Sequence, residues 1–197
     1  MDFVYFGSSA TFPYYKLSNF YECEFELLGY KWPSSEHAYM AISRFKICDW
    51  HRFSIGGDLS TLENGFSLIF GGDQVKAKSK ADWWGKKNMV GIIAKMASKP
   101  DVAKKLGLHY VDFEITEESD ITKVFLKVLN EKFKNLEFKE ILKSTDDKNL
   151  VEFDRGSHRE ALKGKQTKWT GLVKDGELYG YNLMGKILMQ LRIAIVK

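Results

Sequence analysis

The chain has 197 residues, with 30 Lys and Arg against 26 Asp and Glu, for a net charge of +4 and a pI near 8.8. Its 44% hydrophobic and 28% charged content is that of a soluble globular protein, and no segment approaches the roughly 20 apolar residues needed to span a bilayer. This excludes a membrane span and a polybasic tail, while the mild positive charge favours a phosphorylated or nucleic-acid ligand without requiring one.

"FVYF" (Phe3–Phe6) reads as a short strand. The opening "MDFVYFGSS" lacks a basic n-region and a long apolar run, so no signal peptide is expected, and the protein is read as cytoplasmic. "CEFELLGYKW" (Cys23–Trp32) alternates like a hairpin turning near Leu28-Gly29. A helix is predicted from Ser35 to Ile47, with Ser34 or Ser35 as N-cap and Glu36 complementing the dipole in the first turn. Residues 49–80 read as irregular, with "GGD" at 56–58 and 71–73 as turns. "WWGKKNMVGIIAKMA" (Trp83–Ala97) should become helical after its glycine. Helices are predicted at Ile121–Phe133, Leu136–Leu142 and Leu183–Val196, and "LVEF" (Leu150–Phe153) as a brief strand. The expected fold is mainly α with a small antiparallel β-sheet (α+β), in one domain over 1–197.

Several chemistries are set aside. "GYNLMGK" (Gly180–Lys186) approaches a P-loop, but Ile187 replaces the Ser or Thr that holds magnesium. There is no G-x-S-x-G, H-E-x-x-H or C-x-x-C, and His37, His51, His109 and His158 are scattered without ligand spacing. Cys23 and Cys48 form neither a metal spacing nor a disulfide framework and read as buried reduced thiols. No metal and no cofactor is expected.

Asn88-Met-Val-Gly91 and Asn182-Leu-Met-Gly185 form an internal echo, each opening an apolar helix. Such helix starts can present backbone amides to a pyrophosphate. Arg44, eight residues after Glu36, can hold a phosphate or form a surface salt bridge. Arg155, Arg159, Lys163, Lys165 and Lys168 lead into Trp169, a composition suited to a nucleic-acid backbone beside a base or to a solvated loop.

The stretch "LSNFYECEFELLGYKWPSSEHAYMA" resembles the N-terminal signature of the NADAR family, a Ser-Asn-Phe, a hairpin, then Trp-Pro-Ser/Thr-Ser-Glu-His. "KF" at Lys132-Phe133, "LVE" at Leu150–Glu152, Trp169 and "GYNLMGKILMQLR" (Gly180–Arg192) extend the resemblance. It implies an N-glycosidase with Glu36 as the catalytic carboxylate. Asn19, Trp32, Arg44, Trp83, Lys87, Asp154, Trp169 and Asn182 are the implied substrate-binding residues, and Lys87 is a candidate for a covalent lysine intermediate. The implied substrate is ADP-ribose on guanine, in nucleic acid or as a free nucleotide. Two other readings are a riboflavin-pathway ribosylamine phosphate as substrate, and an NAD or ADP-ribose binding module without turnover. The sequence departs from the family in having Gln166 where an Asp often stands, with Asp154 as a possible substitute. It also has Arg44-Phe45 for a Lys-Phe pair, and an inserted segment at about 85–119.

Overall fold

The computed structural model describes residues 2–112, 117–154 and 167–196, with the backbone alone at residue 196. In chain order the elements are β1 (Phe3–Phe6), β2 (Phe25–Leu27), β3 (Tyr30–Trp32), α1 (Ser35–Arg44), α2 (Trp50–Phe53), α3 (Leu62–Phe70) and α4 (Gln74–Gly85). There follow α5 (Ile92–Ala97), α6 (Pro100–Lys105), α7 (Glu118–Lys132), α8 (Leu136–Lys143), β4 (Asn149–Glu152), β5 (Leu172–Lys174), β6 (Glu177–Tyr179) and α9 (Leu183–Val196). This is the α+β class expected from the sequence. Among the described residues the strands form three separate two-stranded ladders rather than one sheet. No helix of the described residues is long and apolar enough to cross a membrane.

The described residues group into two compact units, a terminal one of Met1–Ser18 with Phe133–Lys197 and a central one of Asn19–Lys132. In the terminal unit β1 pairs with β4 in parallel, Phe3 opposite Asn149 and Phe6 opposite Glu152. Parallel pairing requires a long crossover, which the intervening chain supplies. Helix α9 packs on β4 and α8, burying Leu183, Met184, Ile187, Leu188 and Leu191. The buried Arg192 guanidinium donates to Thr145 Oγ1 at 2.7 Å and to the Lys148 carbonyl at 3.0 Å, tying α9 to the turn before β4.

In the central unit β2 and β3 form the expected hairpin, Phe25 opposite Trp32 and Leu27 opposite Tyr30. Helix α1 is buried along most of its length and packs on α5 and α7, with Tyr39 stacked on Phe125 at 3.8 Å between centroids. It ends at Arg44, three residues short of the prediction, because Phe45 turns extended and bridges to Tyr110.

Residues 49–80 are mostly helical rather than irregular, with turns kept at 54–61 and 71–73. They hold α2, α3 and the start of α4, and the second "GGD" is a junction between helices. Gly71 adopts φ 62° and closes α3 with hydrogen bonds from its own amide to the Leu68 carbonyl and from the Gly72 amide to the Ser67 carbonyl. Asp73 then caps α4 by accepting from the Lys76 amide at 3.0 Å. A left-handed glycine followed by an acidic N-cap ends one helix and starts another. In the first "GGD", Asp58 takes two hydrogen bonds from Arg52, at 3.0 and 2.8 Å. The helix expected within Trp83–Ala97 is present as α5, opened by Gly91. Trp83 and Trp84, ahead of it, fall in the last turn of α4, and α5 begins at Ile92.

Candidate active site

The glutamate singled out by the sequence stands at the start of α1. Ser34 is the N-cap, in extended conformation, and its hydroxyl accepts from the His37 amide at 3.3 Å. The same oxygen meets His37 Nδ1 at 2.8 Å, while Nε2 lies 3.0 Å from the Leu59 carbonyl. A carbonyl accepts only, so Nε2 carries the proton and Ser34 donates its own to Nδ1. Burial keeps that imidazole neutral, lowering its pKa to about 4. His37 therefore clamps the helix start, a role its sequence position did not reveal.

Glu36 stands two residues after this cap and is 6% exposed. Its amide donates to the Asn19 carbonyl at 3.0 Å. No hydrogen bond to its carboxylate is found among the described residues, so the helix is capped by Ser34 and not by Glu36. Burial raises the Glu36 pKa from 4.5 to about 7, against the opposing pull of the Lys95 and Arg44 charges. A carboxyl half-ionised near neutrality can both take and give a proton, and perturbation of this kind clusters at functional sites.

Two parts of this arrangement come from the segment read as an insertion. Lys95, on α5, lies with Nζ 5.1 Å from the Phe20 ring centroid. Gly91, just before α5, donates its amide to the Phe20 carbonyl at 3.0 Å. A side chain on Gly91 would stand 2.6 Å from Phe20 Cα, 2.8 Å from Ser34 Oγ and 3.0 Å from Glu36 Cβ. Only a glycine admits this approach. Neither Gly91 nor Lys95 carries a sequence signal beyond the Asn-x-x-Gly echo.

The other predicted residues of the central unit are placed as follows. Asn19 is buried beside Glu36, through its backbone. Arg44 is half-buried in the last turn of α1 and lines a cleft of about 400 Å³ with Ser43, Ser98, Pro100 and Tyr110. Glu36 does not line that cleft. Trp83 is 57% exposed on α4, whereas Trp84 packs against the core. Lys87 is half-buried in the turn after α4. Trp32 requires correction as a ligand contact. It is fully buried, its Nε1 donates to the Leu27 carbonyl at 3.0 Å, and its ring packs near Tyr30 and Trp50. Cys48, expected to be buried, is exposed, while Cys23 is buried as expected.

In the terminal unit Asp154 is exposed and Trp169 half-buried, with Lys168 Nζ 6.0 Å from the Trp169 ring. Asn182 is fully buried, and it also requires correction. Its side chain accepts from the Glu152 amide at 3.0 Å and donates to the Leu150 carbonyl at 2.7 Å, extending the hydrogen bonding of β4. The amides at the start of α9 are equally occupied, from Asn182 to Thr170, Leu183 to Lys168 and Met184 to Trp169. They are not open to a pyrophosphate. Asn88 and Asn182 do share a left-handed φ of 52°, and Gly185, like Gly91, is approached too closely for a side chain, 2.2 Å from the Leu150 carbonyl. The echo is thus one of packing geometry. Arg155, Arg159, Lys163, Lys165 and Gln166 lie outside the described residues.

No protein-family model and no curated protein sequence matches the chain. A solved structure it resembles is the NMR structure of the E. coli protein YbiA. The TM-score is 0.50 at 20% identity, covering 99% of this chain and 85% of that one. At that identity the likeness speaks to the fold.

Proposed function

We propose that the protein is an N-glycosidase in which Glu36 carries the chemistry, cleaving the bond between a ribose C1′ and a base nitrogen. The observation that carries this reading is the buried Glu36 carboxyl at the α1 N-terminus, with a pKa of about 7 and no capping duty. The Trp-Pro-Ser-Ser-Glu-His signature supports it, as does the fold likeness to YbiA, a NADAR-family protein.

The chemistry follows from the group. As the C1′–N bond breaks, its electrons leave with the base nitrogen and positive charge develops on the sugar. A carboxylate at C1′ stabilises that charge and accepts a proton from the attacking water. The departing base takes up a proton from solvent, and Glu36 returns to solvent the one it took from water, so the hydrolysis is proton-neutral. Glu36 at a pKa of about 7 is ionised often enough to act as the base, and is more basic than an ordinary carboxylate. Lys95 and Arg44 favour its ionised form and supply positive charge for a phosphorylated substrate.

The substrate we propose is ADP-ribose attached to guanine, in nucleic acid or as a free nucleotide. The exposed Trp83 ring offers a stacking face for a planar base, and the net charge of +4 suits a pyrophosphate. The test is incubation of the full chain with ADP-ribosylated guanine mononucleotide, modified DNA and a riboflavin-pathway ribosylamine phosphate. Free ADP-ribose from the first two is expected. Release of ribose 5-phosphate alone would move the substrate to the riboflavin pathway, and tight binding without product would replace the enzyme with a binding module.

A further inference from the structure

The turn after α1 carries two neighbouring side chains that meet a third from far along the chain. Cys48 and Asp49 stand in the 3-10 turn Ile47–Asp49, and His109 reaches Asp49 from 60 positions further along the chain. The Cys48 thiol sulfur, an Asp49 carboxylate oxygen and a His109 ring nitrogen all lie within 4.8 Å of one another. We propose that this cluster binds a divalent cation of the zinc type through three protein ligands, with the fourth position taken by water or an external ligand.

The backbone holds both sides of the cluster in place. Phe45 bridges to Tyr110, the Lys46 amide donates to the His109 carbonyl at 2.8 Å, and the Val111 amide to the Arg44 carbonyl at 2.9 Å. Asp49 is 5% exposed. Its Oδ2 accepts from the His109 amide at 2.6 Å and stands 3.2 Å from His109 Nδ1. The carboxylate is thereby fixed in direction before any ion arrives. Arg52, whose charge is felt at Asp49, is already engaged by both oxygens of Asp58.

The donor set selects the metal. Thiolate and imidazole suit zinc and its neighbours, whereas calcium and magnesium require oxygen shells. Ligands about 2.0–2.3 Å from a tetrahedral ion stand roughly 3.3–3.5 Å apart, so small rotations of the two exposed side chains close the set. Cys48 would bind as thiolate and release its proton to solvent. The alternative, Asp49 as a strap for the His109 backbone, accounts for the carboxylate. It gives no reason for an exposed thiol beside it, since free cysteines are among the most buried residues.

The test is titration of the full, reduced chain with Co²⁺, followed by thiolate-to-cobalt charge-transfer absorption and by displacement with Zn²⁺. One equivalent should bind, the charge-transfer band should vanish in Cys48→Ser, and His109→Ala should weaken binding by more than the roughly 10–100-fold typical of losing an outer partner. Circular dichroism checks that both variants fold. Absence of the band in the wild-type chain, or cobalt binding unchanged in either variant, overturns the assignment. Neither residue belongs to the proposed glycosidase machinery, so N-glycosidase turnover of both variants should match wild type. A failed glycosidase assay would leave the metal readout intact.

Discussion

Replacing Glu36 with Gln separates a catalytic carboxyl from a helix-dipole residue by the sign of its effect on stability. Burial raises the Glu36 pKa from 4.5 to about 7, and a difference of that size corresponds to about 3 kcal/mol. Because the folded pKa is the higher one, the relative stabilisation is fully present below about pH 4.5 and lost as pH rises through about 7. At pH 8 the wild-type chain therefore carries the cost of a buried charge that Gln lacks. Glu36→Gln should be more stable than wild type by about 2–3 kcal/mol at pH 8 and nearly equal at pH 4.5. His37 titrates in both proteins and cancels from the difference. A residue serving the helix dipole gives the opposite sign, a loss of about 0.3–1 kcal/mol when its charge is removed. Urea unfolding at the two pH values measures this directly. In parallel, turnover on ADP-ribosylated guanine should fall by at least about a hundredfold, with ADP-ribose binding retained. Wild-type turnover should rise with pH along a limb centred near 7, where Glu36 ionises. A Gln variant destabilised at pH 8, or one turning over within a few-fold of wild type, would refute the reasoning.

Three other substitutions test further parts of the structure. Gly91→Ala places a methyl 2.6 Å from Phe20 Cα, so the backbone beside Glu36 must move; a loss of about 1–3 kcal/mol with reduced turnover is expected, and an unchanged melting temperature would contradict it. Trp83→Ala removes an exposed ring and should alter stability by less than about 0.5 kcal/mol. It should weaken ADP-ribose binding by about 1–3 kcal/mol in calorimetric titration. Asn182→Ala strands the Glu152 amide and the Leu150 carbonyl, at about 1–3 kcal/mol for each unpaired buried group; a urea midpoint shift equivalent to less than about 0.5 kcal/mol would show that water replaces the amide.

The start of α1, the β2–β3 hairpin, α7, α8, α9 and the strands β1 and β4 were legible from the sequence alone. Each rests on signals within a few residues, such as Ser34 after Pro33, the alternation of residues 23–32, or apolar spacing at 3.6 residues. The α+β class follows from the same short-range patterns. Trp32 and Asn182 were misread because a large ring and a polar amide suit a ligand or a core equally well by type. Burial and hydrogen-bond partners decide between the two, and neither is local. The parallel partnering of Phe3–Phe6 with Asn149–Glu152, the approach of Gly91 and Lys95 to Glu36, and the meeting of His109 with Cys48 and Asp49 belong to the tertiary structure. All three join segments more than 50 residues apart. Their geometry is set by how the helices pack, and no pattern confined to a few neighbouring residues encodes that packing.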